Sequence, residues 1–272
     1  MTKLFMDKVK IIVGLAQLNI VWENKAANMA KCKDFVVAAA QKKVDLLLFP
    51  EMCLTGFSMN VAKITDVGRQ DLAFFERLSE EYGIYIGFGS VLVQKNKGRN
   101  LYCIVSPVSG LIAEYTKIHS FSPGNEDHHY KSGEKPSILD ISGISYSPFI
   151  CYDLRFPEIF QAVSRRAIFV SVAANWPEKR REHWITLLKA RAIENQCFVA
   201  GINRIGEGNG IHYSGDSMLI DPFGNVIGKL GNEENLLIGE VCCRDVMEIR
   251  KGFDLKNDRK NDLYVNLLQD LI

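Results

Sequence analysis

The order of periodicities at the start of the chain constrains the fold most. Residues 9–17 (VKIIVGLAQ) form a β-rich apolar run that predicts a first buried strand. Residues 24–42 switch to helical spacing. Met29, Lys33, Val36, Val37 and Ala40 recur every three or four positions and give one largely apolar stripe. Residues 44–49 (VDLLLF) are apolar again and end in Pro50-Glu51. A strand, a helix and a strand in this order imply parallel strands, with the helix crossing over one face of their sheet.

The rest of the chain continues in mixed order. Residues 52–66 read as irregular, with a turn at Gly56, and a helix follows over 67–82. Residues 84–93 read as a strand whose glycines let another backbone or a ligand approach closely. The polar run 95–100 (KNKGRN) reads as a turn, so 101–107 should pair antiparallel with that strand, and 111–116 continues the meander. Residues 117–136 lack an apolar period, hold three of the five histidines, and predict a long functional loop. A hairpin over 138–141 and 144–150, a helix at 157–165, a strand at 167–174 and a helix at 178–195 follow, the last with Trp184, Leu187, Leu188 and Ala192 on one side. Further strands are expected at 197–204, 217–220 and 236–241, with turns at 207–210 and 221–225. The tail beyond about residue 245 is too polar to form a core. Its Phe253, Leu255, Tyr264, Leu267 and Leu268 are expected to pack on the body or on a neighbouring subunit. No linker, low-complexity run or internal repeat is visible. The count of elements favours one α/β domain over 1–272, with two sheets between helical layers.

Composition narrows the function. Of 272 residues, 47% are hydrophobic and 24% charged, with a net charge of +1, as in an ordinary globular protein. Nothing suggests a basic face for nucleic acid. The seven cysteines (Cys32, Cys53, Cys103, Cys151, Cys197, Cys242 and Cys243) are odd in number, scattered and never spaced C-x-x-C. A disulfide framework or zinc knuckle is not expected, and a reducing cytosol is the simplest home. The opening Met1 to Lys8 lacks the apolar run of a signal peptide, and no run approaches the roughly 18 apolar residues of a membrane span. A cytoplasmic protein is expected.

One segment carries the chemistry. In PFICYDLRFPE (148–158) an apolar strand runs up to Cys151, a polar turn follows, and Pro157 sits where a helix could begin. Unpaired N–H groups and the positive end of a helix dipole collect at such a junction. They lower a thiol pKa and can hold an oxyanion. Cys151 is thus a nucleophile candidate, set against the common alternative of a buried structural cysteine. Glu51 and Lys117 likewise come directly after apolar strands, and ligands of α/β sheets bind beyond strand carboxyl ends. If these strands are neighbours, acid, base and thiol share one cleft. Phe49, Pro50 and Met52 leave Glu51 short of polar neighbours and predict a desolvated carboxylate suited to general base work. Lys117 near Cys151 would favour the thiolate and an oxyanion.

These segments resemble a known family. LFPEM (48–52) with TGF (55–57), YTKIH (115–119) and ICYDLRFPE (150–158) are similar to the three signature segments of the nitrilase superfamily, the carbon–nitrogen hydrolases. ANWP (174–177) and KARAIENQ (189–196) extend the likeness over nearly the whole chain. The resemblance implies a four-layer α-β-β-α sandwich with two mixed β-sheets. It implies Glu51 as base, Lys117 as oxyanion-stabilising lysine and Cys151 as nucleophile. A second glutamate matches Glu126, with Asp127 and Glu134 as nearby rivals. The backbone N–H of Tyr152 would share the oxyanion, and a thioester would form and be hydrolysed. No metal or other cofactor is implied, and His119, His128, His129, His183 and His212 show no metal-ligand pattern.

TGFSM (55–59), GNEDHHY (124–130) and ANWP (174–177) are similar to the omega-amidase branch, which acts on 2-oxoglutaramate or 2-oxosuccinamate. Such a substrate carries a carboxylate. A cation in the pocket is therefore expected: Arg180 is a candidate, and Arg155 is another that looks more structural, near Asp153 and Glu158. Phe57, Asn175 and Trp176 are further expected substrate contacts, although Trp176 could equally serve as a core or subunit-contact aromatic. Competing readings are an N-carbamoyl hydrolase, a nitrilase proper, a Cys–His thiol hydrolase using His119, and an inactive binding protein. The resemblance also implies a homodimer or higher oligomer.

Overall fold

The computed structural model describes residues 9–269, so the reading of Met1 to Lys8 lies outside the described residues. The opening strand–helix–strand order forms as expected, but the helix over Lys25–Gln41 buries Asn28, Cys32, Val36 and Ala39, of which only Val36 belongs to the expected stripe, and Lys33 is exposed. β1 (Lys10–Gln17) and β2 (Leu46–Leu48) run parallel, with Val13 opposite Leu46 and Leu15 opposite Leu48, and α1 (Lys25–Gln41) joins them. The Asn24 side chain caps α1 by accepting from the backbone N–H of Ala27 at 3.1 Å.

A short α2 (Val61–Ile64) and α3 (Gln70–Tyr82) lead to β3 (Tyr85–Gln94), β4 (Lys97–Ser106) and β5 (Gly110–Thr116). A one-turn α4 (Glu126–His129) lies in the expected loop. β6 (Leu139–Ile141) and β7 (Ile144–Ile150) form the expected hairpin. They are followed by α5 (Pro157–Val163), β8 (Phe169–Ala174), α6 (Arg181–Asn195) and β9 (Phe198–Asn203). A small hairpin of β10 (Ile205–Gly208) and β11 (Ile211–Ser214) stands apart from the main sheets. β12 (Met218–Ile220), β13 (Val226–Lys229), β14 (Asn235–Cys242), α7 (Cys243–Gly252) and α8 (Asn261–Gln269) complete the described chain.

Two six-stranded mixed sheets result, ordered β14-β1-β2-β3-β4-β5 and β13-β12-β9-β8-β7-β6. Alternation along the strands of the first sheet builds two cores. Val13, Leu15, Leu46, Leu48, Tyr102 and Ile104 join the core shared with the second sheet. Their sequence neighbours Ala16, Leu47, Phe49, Leu101, Cys103 and Val105 pack with Cys32 and Val36 of α1 and Leu72 and Phe75 of α3. Phe160 of α5 and Trp184, Leu188 and Ala192 of α6 cover the second sheet, giving the α-β-β-α sandwich. The topology also repeats, although no repeat is visible in the sequence. β1, β2 and β3 are parallel, as are β7, β8 and β9, and each trio is flanked by antiparallel strands.

One further expectation is corrected. The turn after β3 is only Lys95-Asn96, because Gln94 already pairs with Lys97. Asn100, expected in the turn, therefore lies inside β4. The tail does not behave as one unit. α7 buries Cys243 and Val246 on the body, whereas α8 has no buried residue and exposes Leu263, Tyr264, Val265, Leu267 and Leu268. No helix of the described residues is long and apolar enough to cross a membrane.

Candidate active site

Glu51, Lys117 and Cys151 meet at the carboxyl ends of strands, although those strands are not neighbours. β2 and β5 are separated by β3 and β4, and Cys151 comes from the other sheet. The site thus lies between the sheets. Gly89 of β3 makes room for the turn that presents Glu51. A Cβ there would fall 2.2 Å from the backbone nitrogen of Met52 and 2.7 Å from Cα of Glu51.

The expectation that Glu51 lacks polar neighbours is also corrected. Its sequence neighbours are apolar, but the fold surrounds the carboxylate with donors. The side-chain amide of Asn100 donates to Oε1 at 2.8 Å, Lys117 Nζ to the same oxygen at 3.0 Å, and the Asn175 backbone N–H to Oε2 at 3.0 Å. Lys117 Nζ also meets Glu126 Oε2 at 2.8 Å, and Asn100 donates to Glu126 Oε1 at 2.9 Å. Glu51 and Glu126 are fully buried and Lys117 is 2% exposed. Burial alone would push the lysine pKa down, but the Glu126 and Glu51 carboxylates outweigh it and hold the ammonium well above the ordinary lysine range. The rivals Asp127 and Glu134 lie exposed, and Glu126 is the acid brought to Lys117. The backbone N–H of Phe121 fixes that carboxylate at 2.6 Å.

Cys151 follows β7 with a left-handed backbone (φ 46°) and opens a 3₁₀ turn over Cys151–Arg155 before α5 begins at Pro157. Asp153, which the sequence reading passed over, fastens this turn. It accepts from the backbone of Ile150 at 3.0 Å, from the Tyr115 hydroxyl at 2.7 Å and from the His119 backbone at 3.0 Å. The His119 ring lies 2.9 Å from Asp153 through Nδ1 and stacks on Phe156 at 3.7 Å.

The expected low thiol pKa is reversed. Burial pushes the Cys151 thiol well up, the Glu51 carboxylate adds to this, and Lys117 only partly offsets them. The residue keeps some exposure because it opens on a cavity, but protein rather than bulk water surrounds it. A raised thiol pKa favours the folded state below the unfolded value of about 8.5, and that contribution fades as pH climbs through the folded value. Cys151 therefore rests as a thiol at neutral pH. Alkylation of Cys151 by iodoacetamide, followed by mass spectrometry, should accelerate steadily from pH 7 to 10. A plateau already reached at pH 6 would contradict this.

The cavity above Cys151 holds about 400 Å³ and is lined in part by Glu51, Phe57, Lys117, Tyr152, Asn175, Trp176 and Arg180. All the expected substrate contacts are thus brought together. Phe57 lies 5.2 Å from Lys117 Nζ. Trp176 packs at 5.5 Å on Trp184 and also lines the cavity. Arg180 reaches over Phe121 at 5.3 Å. Arg155 is corrected from structural to cavity-lining. It stacks over Trp176 at 4.9 Å and makes no ion pair with Asp153 or Glu158. Asn203, also missed, holds Trp176 by accepting from its N–H at 2.8 Å and donating to its carbonyl at 3.1 Å. Arg204, buried without a carboxylate partner among the described residues, donates to the carbonyls of Ile20, Ile205 and Glu207 and stacks on Tyr213 at 4.5 Å. Burial lowers its pKa to about 10. These contacts anchor the β10–β11 hairpin, which brings Asn209, Ile211 and Tyr213 to the cavity.

The carbon-nitrogen hydrolase family profile matches residues 12–251, a span holding every residue of this site. The chain belongs to the carbon–nitrogen hydrolase family. A curated member, the 2-oxoglutaramate amidase of Bacillus subtilis (strain 168), is 33% identical over 260 residues, covering 94% of this chain and 100% of that protein. The omega-amidase YafV of Escherichia coli (strain K12) is 33% identical over 249 residues, covering 90% of this chain and 95% of its own. Among solved carbon–nitrogen hydrolases, XC1258 from Xanthomonas campestris, crystallised with an arsenic adduct in its active site, superposes with a TM-score of 0.88. It is 30% identical and covers 93% of this chain and 98% of that one. Within the nitrilase superfamily the chain is thus similar to proteins named omega-amidase and 2-oxoglutaramate amidase, and its family is one of hydrolases of carbon–nitrogen bonds.

Proposed function

We propose that the chain is a cysteine-dependent omega-amidase, releasing ammonia from 2-oxoglutaramate or 2-oxosuccinamate. The observation that carries this reading is a pair of arginines, Arg155 and Arg180, in the cavity above Cys151. Neither has a carboxylate within ion-pair distance among the described residues. Guanidinium groups in a largely apolar cavity suit a substrate that brings its own carboxylate.

The reaction follows from the placement of the groups. Glu51 takes the proton of the Cys151 thiol as Sγ attacks the amide carbonyl. Because the resting thiol is neutral, proton removal and attack are linked. Lys117 and the backbone N–H of Tyr152 stabilise the oxyanion. The intermediate collapses to a thioester as Glu51 returns the proton to departing ammonia. A water then gives Glu51 a proton and attacks the thioester, releasing the acid and restoring the thiol. Glu126 acts by holding Lys117, and no step calls on a histidine. His119, the base of the rival Cys–His reading, is bound to Asp153 and is absent from the cavity lining.

An ammonia-release panel tests this. Turnover should favour 2-oxoglutaramate and 2-oxosuccinamate over glutamine, asparagine and N-carbamoyl amino acids, and the last would also release carbon dioxide. Arg180→Gln should raise KM for the oxo-acid amides about 10- to 100-fold, the worth of one charged hydrogen bond, with kcat little changed. Strong turnover of carbamoyl substrates, or an unchanged KM, would overturn the reading.

The same proposal includes a homodimer or higher oligomer in a reducing cytosol. A nine-residue helix is marginal by itself, and α8 turns five large apolar side chains to solvent in the lone protomer. Sedimentation at micromolar concentration should show a dimer or larger species, and a monomer would refute it.

A further inference from the structure

The catalytic cluster carries an imbalance of charge. Two buried carboxylates, Glu51 and Glu126, face one ammonium, Lys117. Arg155 and Arg180 line the same cavity but make no ion pair with either carboxylate among the described residues, and burial keeps the Tyr213 phenol neutral, so neither they nor the closer groups correct it. Cys151 rests neutral, and the Tyr130 phenol, raised first by burial and then by the same two carboxylates, is neutral too. The other donors to the cluster are the backbone N–H groups of Phe121 and Asn175 and the Asn175 side-chain amide, which reaches Glu51 Oε2 at 3.4 Å but not Glu126; the one neutral side chain that bridges both carboxylates is that of Asn100. Its amide gives one hydrogen to Glu51 Oε1 at 2.8 Å and the other to Glu126 Oε1 at 2.9 Å. Both partners are carboxylate oxygens, so the chemistry fixes which end of the amide faces them. Its own carbonyl oxygen has no partner among the described residues, so the donors are the working end. The backbone carbonyl of Asn100 accepts from the Lys117 N–H at 2.9 Å, which ties the lysine to the same residue.

We propose that Asn100 is a positioning residue that keeps Glu51 and Glu126 ionised together beside a single ammonium, and so keeps Glu51 free to accept the proton of Cys151. Lys117 alone cannot do this, since one cation offsets only one of the two anions. A neutral double donor supplies the second stabilisation without adding a charge that would compete with the oxyanion for Lys117. Without it, the site would relieve the excess charge by taking up a proton. Hydrogen bonds to the charged form of a carboxylate favour that form, and two carboxylates sharing a site disfavour it. The inference rests on the proposed role of Glu51 as base.

The test is the pH profile of ammonia release from 2-oxoglutaramate by Asn100→Ala and Asn100→Asp. Asn100 is not among the residues that line the cavity, so KM should stay within about threefold. The acidic limb of kcat/KM should move up by one pH unit or more in Asn100→Ala and further in Asn100→Asp, with activity partly recovering at alkaline pH. Asn100→Ser, which keeps one donor, should fall between the wild type and Asn100→Ala. A uniform loss at every pH with the limb in place would overturn the proposal and leave Asn100 a packing residue. Unchanged activity would overturn it too. So would failure of the variants to fold between pH 6 and 9, because the backbone bond from Lys117 to residue 100 survives every substitution. A full loss of activity in Cys151→Ala alongside an unmoved limb would reject this inference alone, whereas an active Cys151→Ala would reject the mechanism beneath it.

Discussion

Cys151→Ala is expected to abolish ammonia release from every amide tested, and Glu51→Gln to lower it at least about 10³-fold. The two losses arise at different points of one reaction. Without Sγ no thioester can form, and the remaining oxyanion donors have no nucleophile to assist. With Gln at position 51 the thiol stays protonated, since burial already holds it in that form, and neither departing ammonia nor attacking water has a proton partner. Positioned acid–base groups contribute about 10²- to 10⁴-fold, and Glu51 acts in both halves of the cycle, so its loss belongs at the upper end. His119→Ala should keep turnover within about tenfold of the wild type. Stopped-flow measurement of ammonia with an intact far-ultraviolet spectrum checks all three. A dead His119→Ala beside an active Glu51→Gln would reverse the assignment.

Lys117→Met should both silence the enzyme and destabilise it by about 3–5 kcal/mol, the usual cost of removing one partner from a buried ion pair. The lysine is 2% exposed and sits 3.0 Å from Glu51 and 2.8 Å from Glu126. Its removal leaves two carboxylates facing each other in a dry interior. In the wild type the raised lysine pKa gives stability that is complete below the unfolded lysine value of about 10.4 and fades only as pH rises through the folded value. Acidification to pH 6 should therefore leave this contribution intact. In Lys117→Met the carboxylates are penalised in their charged form. Uptake of a proton relieves their mutual repulsion, so the variant should regain stability as pH falls. Denaturant melts at pH 5 and pH 8 should show the variant gaining on the wild type at the lower pH. Equal losses at both values would mean that the pair contributes by packing alone.

Much of this site was legible because its main residues sit at the ends of apolar runs. Glu51, Lys117 and Cys151 stand out for interrupting strands, and the segments around them resemble a family. Asn100 was hidden for a physical reason. In KNKGRN a polar residue that faces two buried carboxylates looks like one that faces water, and only strand register separates them. Arg155 misled in the opposite way. Asp153 and Glu158 beside it in sequence suggested ion pairs, but the turn after Cys151 sends the guanidinium onto Trp176 instead. The apolar flanks of Glu51 predicted its burial correctly and its isolation wrongly. Flanks report what lies along the chain, whereas Asn100, Lys117 and Asn175 arrive from across the fold. The matching strand patterns of the two sheets left no trace either, because pairing direction is set by connections rather than by residue identity.

Glu51 and Lys117 hang from one sheet, and Cys151 and Asn175 from the other. No fragment comprising a single sheet can own the reaction. A nascent or partly unfolded chain would carry an ordinary solvated cysteine, with neither its base nor its lysine nearby. Chemical competence therefore appears only when the sheets close on each other, and turnover becomes a gauge of that closure. A molecule held between Lys117 of the first sheet and Arg180, which follows β8 of the second, would in turn act as a fastener across the seam, stabilising the native state in proportion to its occupancy.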